Sequence, residues 1–486
     1  MSTLVRLVNA NPTLLPARWQ MTVSLGSHIV LSCFGVAFPV MIWVVHGRGI
    51  NNNNSNNNDN DVWLGLAKRW SKVAAVLFAI GAVSGTILSF EMGLLWPRFM
   101  RRFGDVIGLP FALEGIAFFI EAIFLGIYLY GWGRLPPRRH RAMLVPIGVS
   151  GLVGTFCILS VNAWMNNPTG FRVVDGNVTD VQPIAAMLNR GVWLQFLHMW
   201  IATFMVVGFV VASVYAEGIR RGRDGVHHRA GFLVPFAFAS VAACIQPITG
   251  HLAGLRLATA QPSKLAAMEL ATRPETRAPL VIGGVLVNGR VRYAIRIPVL
   301  GSLVARSNPN ARLPGLSQFS DDARPNDQLA TTVHWSFQLM ITCGFALLGL
   351  GAAFWWARRR GRDLLSSAWF LRLAVIAGPL AIAALELGWI TTEVGRQPWI
   401  AYRVMRISDA VVQHNSVWVT FIVLSTVYAA MGVGALVVLR SMARRWREGD
   451  EIDLPTPYSP TSYSPTSNPP TSNSPTSSSP TSSVRI

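Results

Sequence analysis

Residues 193–223 read WLQFLHMWIATFMVVGFVVASVYAEGIRRGR, a long apolar run that ends in arginine. From Trp193 to Ala216 nearly every residue is apolar, a run long enough to cross a hydrocarbon core about 30 Å thick at about 1.5 Å of helical rise per residue. Arg220, Arg221 and Arg223 follow at once. A long apolar run closed by a short arginine cluster marks a membrane helix whose end lies in the cytoplasm. Outward from this unit, apolar spans fall at about 21–45, 73–97, 109–132, 143–165, 193–216, 230–249, 334–356, 370–390 and 416–439. The chain is therefore read as an all-α polytopic membrane protein with nine transmembrane helices.

Composition agrees. Of 486 residues, 51% are hydrophobic and 13% are charged, against about 25% charged in soluble domains. A soluble fold is excluded. The net charge of +19 raises the question of nucleic acid, and the positions of the basic residues answer it. Arg48, Lys68, Arg69 and Lys72 fall in one connection, Arg134, Arg138, Arg139 and Arg141 in the next but one, then Arg220, Arg221, Arg223 and Arg229. The series continues with Arg358, Arg359, Arg360 and Arg362, and ends with Arg440, Arg444, Arg445 and Arg447 after the last span. Alternate loops thus carry the charge, which places the N-terminus outside and the C-terminus in the cytoplasm. No nucleic-acid partner is needed to explain it.

Pro12, Pro16 and Arg18 near the start do not suit a cleavable signal peptide, so the first span is read as its own anchor. Cys33, Cys157, Cys244 and Cys343 all lie in spans and are read as core packing, with no disulfide framework. The membrane body occupies 1–449. Two low-complexity segments stand apart from it and are expected to be disordered: the Asn-rich insert 51–60 and the tail 450–486, whose pentads from Tyr458 each end in Pro-Thr-Ser. The connection 250–333 is the one long outer segment.

Ionisable side chains within a bilayer are costly and are functional candidates by default. Here they share a depth. His28, Glu91, Glu114, His198 and Glu386 all fall in the outer half of their spans, and Glu121 lies seven residues beyond Glu114 on the same helical face. Two carboxyls so spaced form a ladder that can pass protons. Glu91 is explained equally well by an interhelix hydrogen bond. Met340 enters its span from outside to the depth of His198, and Met with His is an axial pair for low-spin haem iron; with 15 Met in the chain, packing is the competing account. His251, His334 and His414 are read as interfacial, and His46, His140, His227 and His228 as solvated among cytoplasmic arginines.

The run Gly388-Trp389-Ile-Thr-Thr-Glu393-Val-Gly395-Arg396-Gln397-Pro398-Trp399 resembles the G-W-x-x-x-E-x-G-R-Q-P-W signature of subunit I of cytochrome bd-type quinol oxidases. Arg18-Trp-Gln20 before His28, Leu113-Glu114-Gly115 with Phe118-Phe119-Ile120-Glu121, Asn162-Ala-Trp164-Met165-Asn-Asn-Pro168 and Gln261-Pro-Ser-Lys264-Leu265-Ala266-Ala267-Met268-Glu269 extend the likeness over about 10–445. The resemblance implies a terminal quinol oxidase of the bacterial cytoplasmic (inner) membrane. His198 and Met340 would be the axial ligands of a low-spin haem b. His28 and Glu386 would serve two high-spin haems, one of them haem b and the other haem d or b, with Glu114 beside them. Glu121 would relay cytoplasmic protons toward dioxygen reduction, so that a proton motive force arises without pumping.

Lys264 and Glu269 match residues of quinol oxidation in the family's Q-loop, which here spans about 250–333 and resembles the short version of the cyanide-insensitive branch. Partners implied are an oxidase subunit II, with or without a small single-span subunit, and ubiquinol or menaquinol with dioxygen. Some members have a basic residue three before the His ligand and two before the Met ligand, where this chain has Gln195 and Gln338. Two other readings of the same residues are a proton-coupled transporter, which predicts internal repeats, and a b-type cytochrome that only passes electrons.

Overall fold

The computed structural model of the protein describes residues 12–51, 57–414 and 416–448. The middle of the Asn tract (52–56) and the tail 450–486 lie outside the described residues. Among the described residues, nine helices are long and apolar enough to cross a membrane. They are labelled α1 (Leu14–Asn51), α2 (Asn57–Leu95), α3 (Pro97–Tyr130), α4 (Leu144–Asn166), α5 (Val192–Arg220), α6 (Val226–Ala260), α7 (Asp327–Arg359), α8 (Ala368–Gly395) and α9 (Val417–Glu448).

Several helices outrun their hydrophobic spans. α2 begins at Asn57 rather than near 73, so Lys68, Arg69 and Lys72 lie on helix. α6 continues to Ala260 and takes the first residues of the long connection into helix. Hydropathy marks where lipid ends, but nothing in these stretches breaks a helix there. Pro39, Pro110, Pro235, Pro247 and Pro379 are even carried inside helices, as membrane helices tolerate when neighbours cover the freed carbonyls.

The helices pack in two groups. α5, α6, α7 and α8 form a ring in which each packs on the next and α8 closes on α5. Toward its Arg-rich end the ring is filled by Phe209, Phe232, Phe236, Phe354 and Phe370, one or two from each helix. Ring centroids there are 4.8 Å for Phe232 and Phe236, 4.9 Å for Phe236 and Phe354, and 5.3 Å for Phe354 and Phe370. α1 packs on α2, α4, α5 and α9, and α3 packs on α4. α2 and α9 are the least covered spans, with 11% and 6% of their most apolar windows buried, so their apolar faces are open to lipid or to another membrane chain.

The alternate loops meet at one end, where Arg229 pairs with Asp363 at 2.7 Å and Arg69 lies 3.2 Å from His227. Two expectations fail here. His46 and His140 are fully buried rather than solvated: His46 Nδ1 is 2.9 Å from the Tyr128 hydroxyl, and His140 Nε2 is 2.7 Å from the Tyr128 carbonyl. The reason is that α1 runs past its apolar span to carry His46 beside the end of α3, where Trp132 stacks on His46 and Tyr128 on His140. Of the cysteines, Cys33 and Cys157 are core, while Cys244 is exposed on the helix surface.

At the other end the long connection is ordered by α7. After the short helix Pro262–Met268, strands Leu280–Val287 and Arg290–Ile297 pair antiparallel across Asn288-Gly289. Both turn residues have positive φ, 51° and 71°, the conformation for which Asn-Gly is favoured in a two-residue hairpin. One face of α7 then reaches the hairpin backbone. Asp327 accepts from Gly289 N, Thr331 from Leu286 N and Gln338 from Gly283 N, at 2.8 to 2.9 Å. Trp335 donates to the Gly284 carbonyl, and His334 is paired with the Met268 and Gly283 carbonyls. His334 is therefore buried structural polarity rather than an interfacial residue. Small two-stranded ribbons of this kind are confined to connections and leave the membrane body all helical.

Candidate functional site

Spacing on the four-helix ring sets the first site. His198 projects from α5 and Met340 from α7, helices on opposite sides of the ring. The other two helices each meet one of these side chains with glycine. A Cβ on Gly250 of α6 would lie 3.3 Å from His198 Cε1, and one on Gly388 of α8 would lie 2.9 Å from Met340 Sδ. His198 Nδ1 is 3.1 Å from Thr249 Oγ1, and the Gln246 amide nitrogen lies within 3.3 Å of both ring nitrogens. An imidazole oriented through Nδ1 is arranged as a metal-binding histidine is, with its outward partner fixing the ring.

Two more candidate residues lie along α1, which packs on α2 and touches α8. His28 Nδ1 is 2.9 Å from Ser84 Oγ, and a Cβ on Gly85 would come within 3.0 Å of its ring. The Glu386 carboxylate reaches α1 beside Gly26, whose Cβ would be 3.3 Å from Oε2. His28 thus faces α2, while Glu386 of α8 meets α1 two residues away, at Gly26. Glu386 Oε1 and Trp389 Nε1 are buried without a hydrogen-bond partner among the described residues.

The α3 carboxyls face α4 and α1. Glu121 is buried, with Oε1 3.1 Å from where a Gly35 Cβ would stand and Oε2 3.7 Å from that of Gly151. Glu114 lies against Gly154, one turn along α4. Both acids thus face the same seam, as their spacing of seven predicts. Glu91 is different. Its Oε1 accepts from Gln20 Nε2 at 2.9 Å, and Gln20 Oε1 accepts from Thr420 at 2.9 Å, which is the interhelix hydrogen bond.

Lys264 and Glu269 belong to the short helix Pro262–Met268 and its cap. Both are buried, at 4% and 5% exposed, rather than displayed on the outer surface. Burial pushes the Lys264 ammonium down to about 7, with Arg396 adding to the effect and Glu393 opposing it, and burial raises the Glu269 carboxyl to about 7. Lys264 Nζ donates to Asn166 Oδ1 at 2.8 Å, Asn166 Nδ2 to Asn162 Oδ1 at 3.2 Å, and Asn162 Nδ2 to Glu393 Oε1 at 2.7 Å. Arg396 pairs with Glu393 Oε2 at 2.5 Å. Asn162, Asn166, Glu393 and Arg396 were legible only as signature letters; what hid their role is that α4 and α8 are more than 200 positions apart in the chain.

The residues fit a set of haems. They supply His, Met and Glu as ligand-type side chains, glycines that let the His and Met side chains lie close to neighbouring helices, and buried donors that could meet an anion. Arg396 is 4% exposed, yet its Nε and one terminal nitrogen have no partner among the described residues. A buried cation with free donors suits a carboxylate such as a propionate. Gln338, two before Met340, bonds the hairpin backbone at Gly283 and Val281. It is not available to such a group.

Among the described residues, nine apolar helices form a membrane bundle that carries His, Met and Glu side chains in its interior, the side-chain types a membrane oxidoreductase of the cytochrome class would use. The model of the cytochrome bd terminal oxidase subunit I family matches residues 16–447. The chain belongs to this family, and with it to the multi-pass proteins of the bacterial cytoplasmic membrane. Its similarity to a Bacillus subtilis (strain 168) protein, provisionally named a cytochrome bd menaquinol oxidase subunit I, is 32% identity over 87% of this chain and 95% of the relative. A cytochrome bd ubiquinol oxidase subunit 1 of the same organism is 27% identical over 85% of this chain and 91% of its own length. The bd oxidase structure from Geobacillus thermodenitrificans superimposes with a TM-score of 0.83 at 33% identity, covering 89% of this chain and 98% of that one. Membership sets aside the transporter and the simple electron carrier.

Proposed function

We propose that the chain is the haem-bearing subunit of a quinol:dioxygen oxidoreductase, working beside a second membrane subunit. His198 and Met340 hold a low-spin haem b; His28 and Glu386 hold two further haems, with Glu114 at their side. The observation that supports this reading is that His198 and Met340 stand on opposite helices of the ring, each against a glycine of a helix between them. Bound there, the haems would carry electrons from quinol and supply iron at which dioxygen is reduced to water.

The chain's own residues manage the protons. Lys264 places the quinol head group at the outer face, and Glu269, with a proton affinity near neutrality, accepts a proton from it and releases it outside. Glu121 and Glu114, stacked along the α3–α4 seam, pass protons inward from the Arg-rich, cytoplasmic end. Release and uptake on opposite sides separate charge without a pump. The relatives named for menaquinol and ubiquinol support quinol as the substrate class.

The test is quinol-driven oxygen consumption by the purified complex reconstituted in vesicles. Quinol-dependent acidification outside, slowed about 100-fold in Glu121→Gln while the haem spectrum persists, is the expected result. Oxygen consumption equal to wild type in that variant overturns the relay.

A further inference from the structure

Among the groups the proposed chemistry leaves without a part, Asn166 has the most determined surroundings. It ends α4 and is 5% exposed. Its side-chain oxygen accepts from Lys264 Nζ at 2.8 Å and from Gln261 Nε2 at 3.0 Å, and its amide nitrogen donates to the Asn162 carbonyl at 2.8 Å. Gln261 also donates to the Asn166 main-chain carbonyl at 2.8 Å. With two donors on the oxygen and an acceptor on the nitrogen, the amide has one orientation; reversing it would set NH₂ against an ammonium.

We infer that Asn166 is a positioning residue for quinol oxidation, holding Lys264 as the cation of the loop and tying that cation through Asn162 to the Glu393–Arg396 pair of α8. The inference rests on the quinol-oxidation reading of Lys264. Three observations support it. The Lys264 stem is pressed against α8, since a Cβ on Gly395 would meet its Cγ at 2.7 Å, so the ammonium has little freedom to find another acceptor. The charged and titratable groups around the short helix are Glu393 and Arg396 from α8, His334 from α7, Glu269 at its own end, and Tyr402, whose hydroxyl lies 3.4 Å from Ser263. Of these Arg396 disfavours the lysine charge and Glu393 favours it at longer range, and Asn166 is the direct acceptor. Removing that acceptor leaves burial and Arg396 opposed by Glu393 alone.

The pH profile of kcat/KM for quinol, measured on the intact oxidase complex, tests this because two substitutions move it in opposite directions. Asn166→Asp places a carboxylate on the ammonium and is expected to carry the alkaline limb up by about one pH unit or more; Asn166→Ala carries it down by a similar amount. The acid limb, which belongs to Glu269, stays in place in both. The two are read together: shifts in the assigned opposite directions support the role, and an alkaline limb superimposed on wild type in either variant, or moved the same way by both, overturns it. A reduced-minus-oxidised spectrum checks that each variant carries its haem. Wild-type complex without quinol oxidation would instead defeat the underlying reading of Lys264.

Discussion

The ring of α5 to α8 and the polar knot around Lys264 share α8, yet they are built by opposite means. In the ring, Gly250 and Gly388 leave room for His198 and Met340, and the polar contacts to these side chains are local, from Thr249 and Gln246 to the His198 ring. In the knot, Gln261, Asn166, Asn162 and Glu393 form an unbroken chain of hydrogen bonds from Lys264 to Arg396. A site meant for a large apolar macrocycle needs space. A site that handles protons of a small head group needs fixed dipoles, since an unsatisfied polar group in a low-dielectric interior is costly. Substitutions should therefore act differently in the two places: by volume in the ring, by charge and hydrogen bonding in the knot.

The largest effect is expected at the ring itself. His198→Leu keeps the volume and removes the nitrogen, and should abolish both the low-spin haem signal and oxygen consumption, as checked by a difference spectrum and an oxygen electrode. Wild-type turnover in that variant would break the distinction between the regions. Next in size is the pH response of the knot. Glu269 must be ionised to accept a proton, so activity rises with pH through about 7; Lys264 must be protonated, so activity falls as pH passes about 7. The expected quinol kcat/KM profile is a bell near neutrality. Glu269→Gln should remove its acid limb and lower the maximum by about 100-fold; a profile that keeps both limbs contradicts the assignment.

The smallest effect sharpens the role of shape. Gly388→Ala adds one methyl that would stand 2.9 Å from Met340 Sδ. Overpacking of this kind costs about 1–3 kcal/mol, so the variant should lose thermal stability and show a shifted low-spin spectrum. Gly250→Ala, with 3.3 Å to His198 Cε1, should do less. Equal, negligible changes in both spectra would mean that the glycines are not shaping the site.

How much of this was legible depends on the kind of force involved. The nine spans follow from hydropathy because lipid demands long apolar helices, and the depth-matched His28, His198, Met340 and Glu386 follow from counting along them. Glu114 and Glu121 share a seam because seven residues is two helical turns. Less was legible wherever a long-range contact decides. His46 and His140 sit among arginines in sequence, and nothing local says that Tyr128 and Trp132 will cover them. The hairpin 280–297 did carry a signal, Asn288-Gly289 between alternating residues, but its docking on Asp327, Thr331, His334 and Gln338 of α7 is a tertiary fact. Asn166 and Glu393 stood in recognisable motifs, and their chemistry appeared only when the ends of α4 and α8 came together.

The central claim is that His198 and Met340 hold one low-spin haem b between opposite helices of the ring. The most direct measurement is the reduced-minus-oxidised spectrum of the purified complex beside that of Met340→Leu. Loss or displacement of the low-spin b signal, with the high-spin features retained, is the predicted result. An unchanged low-spin spectrum in Met340→Leu would contradict it.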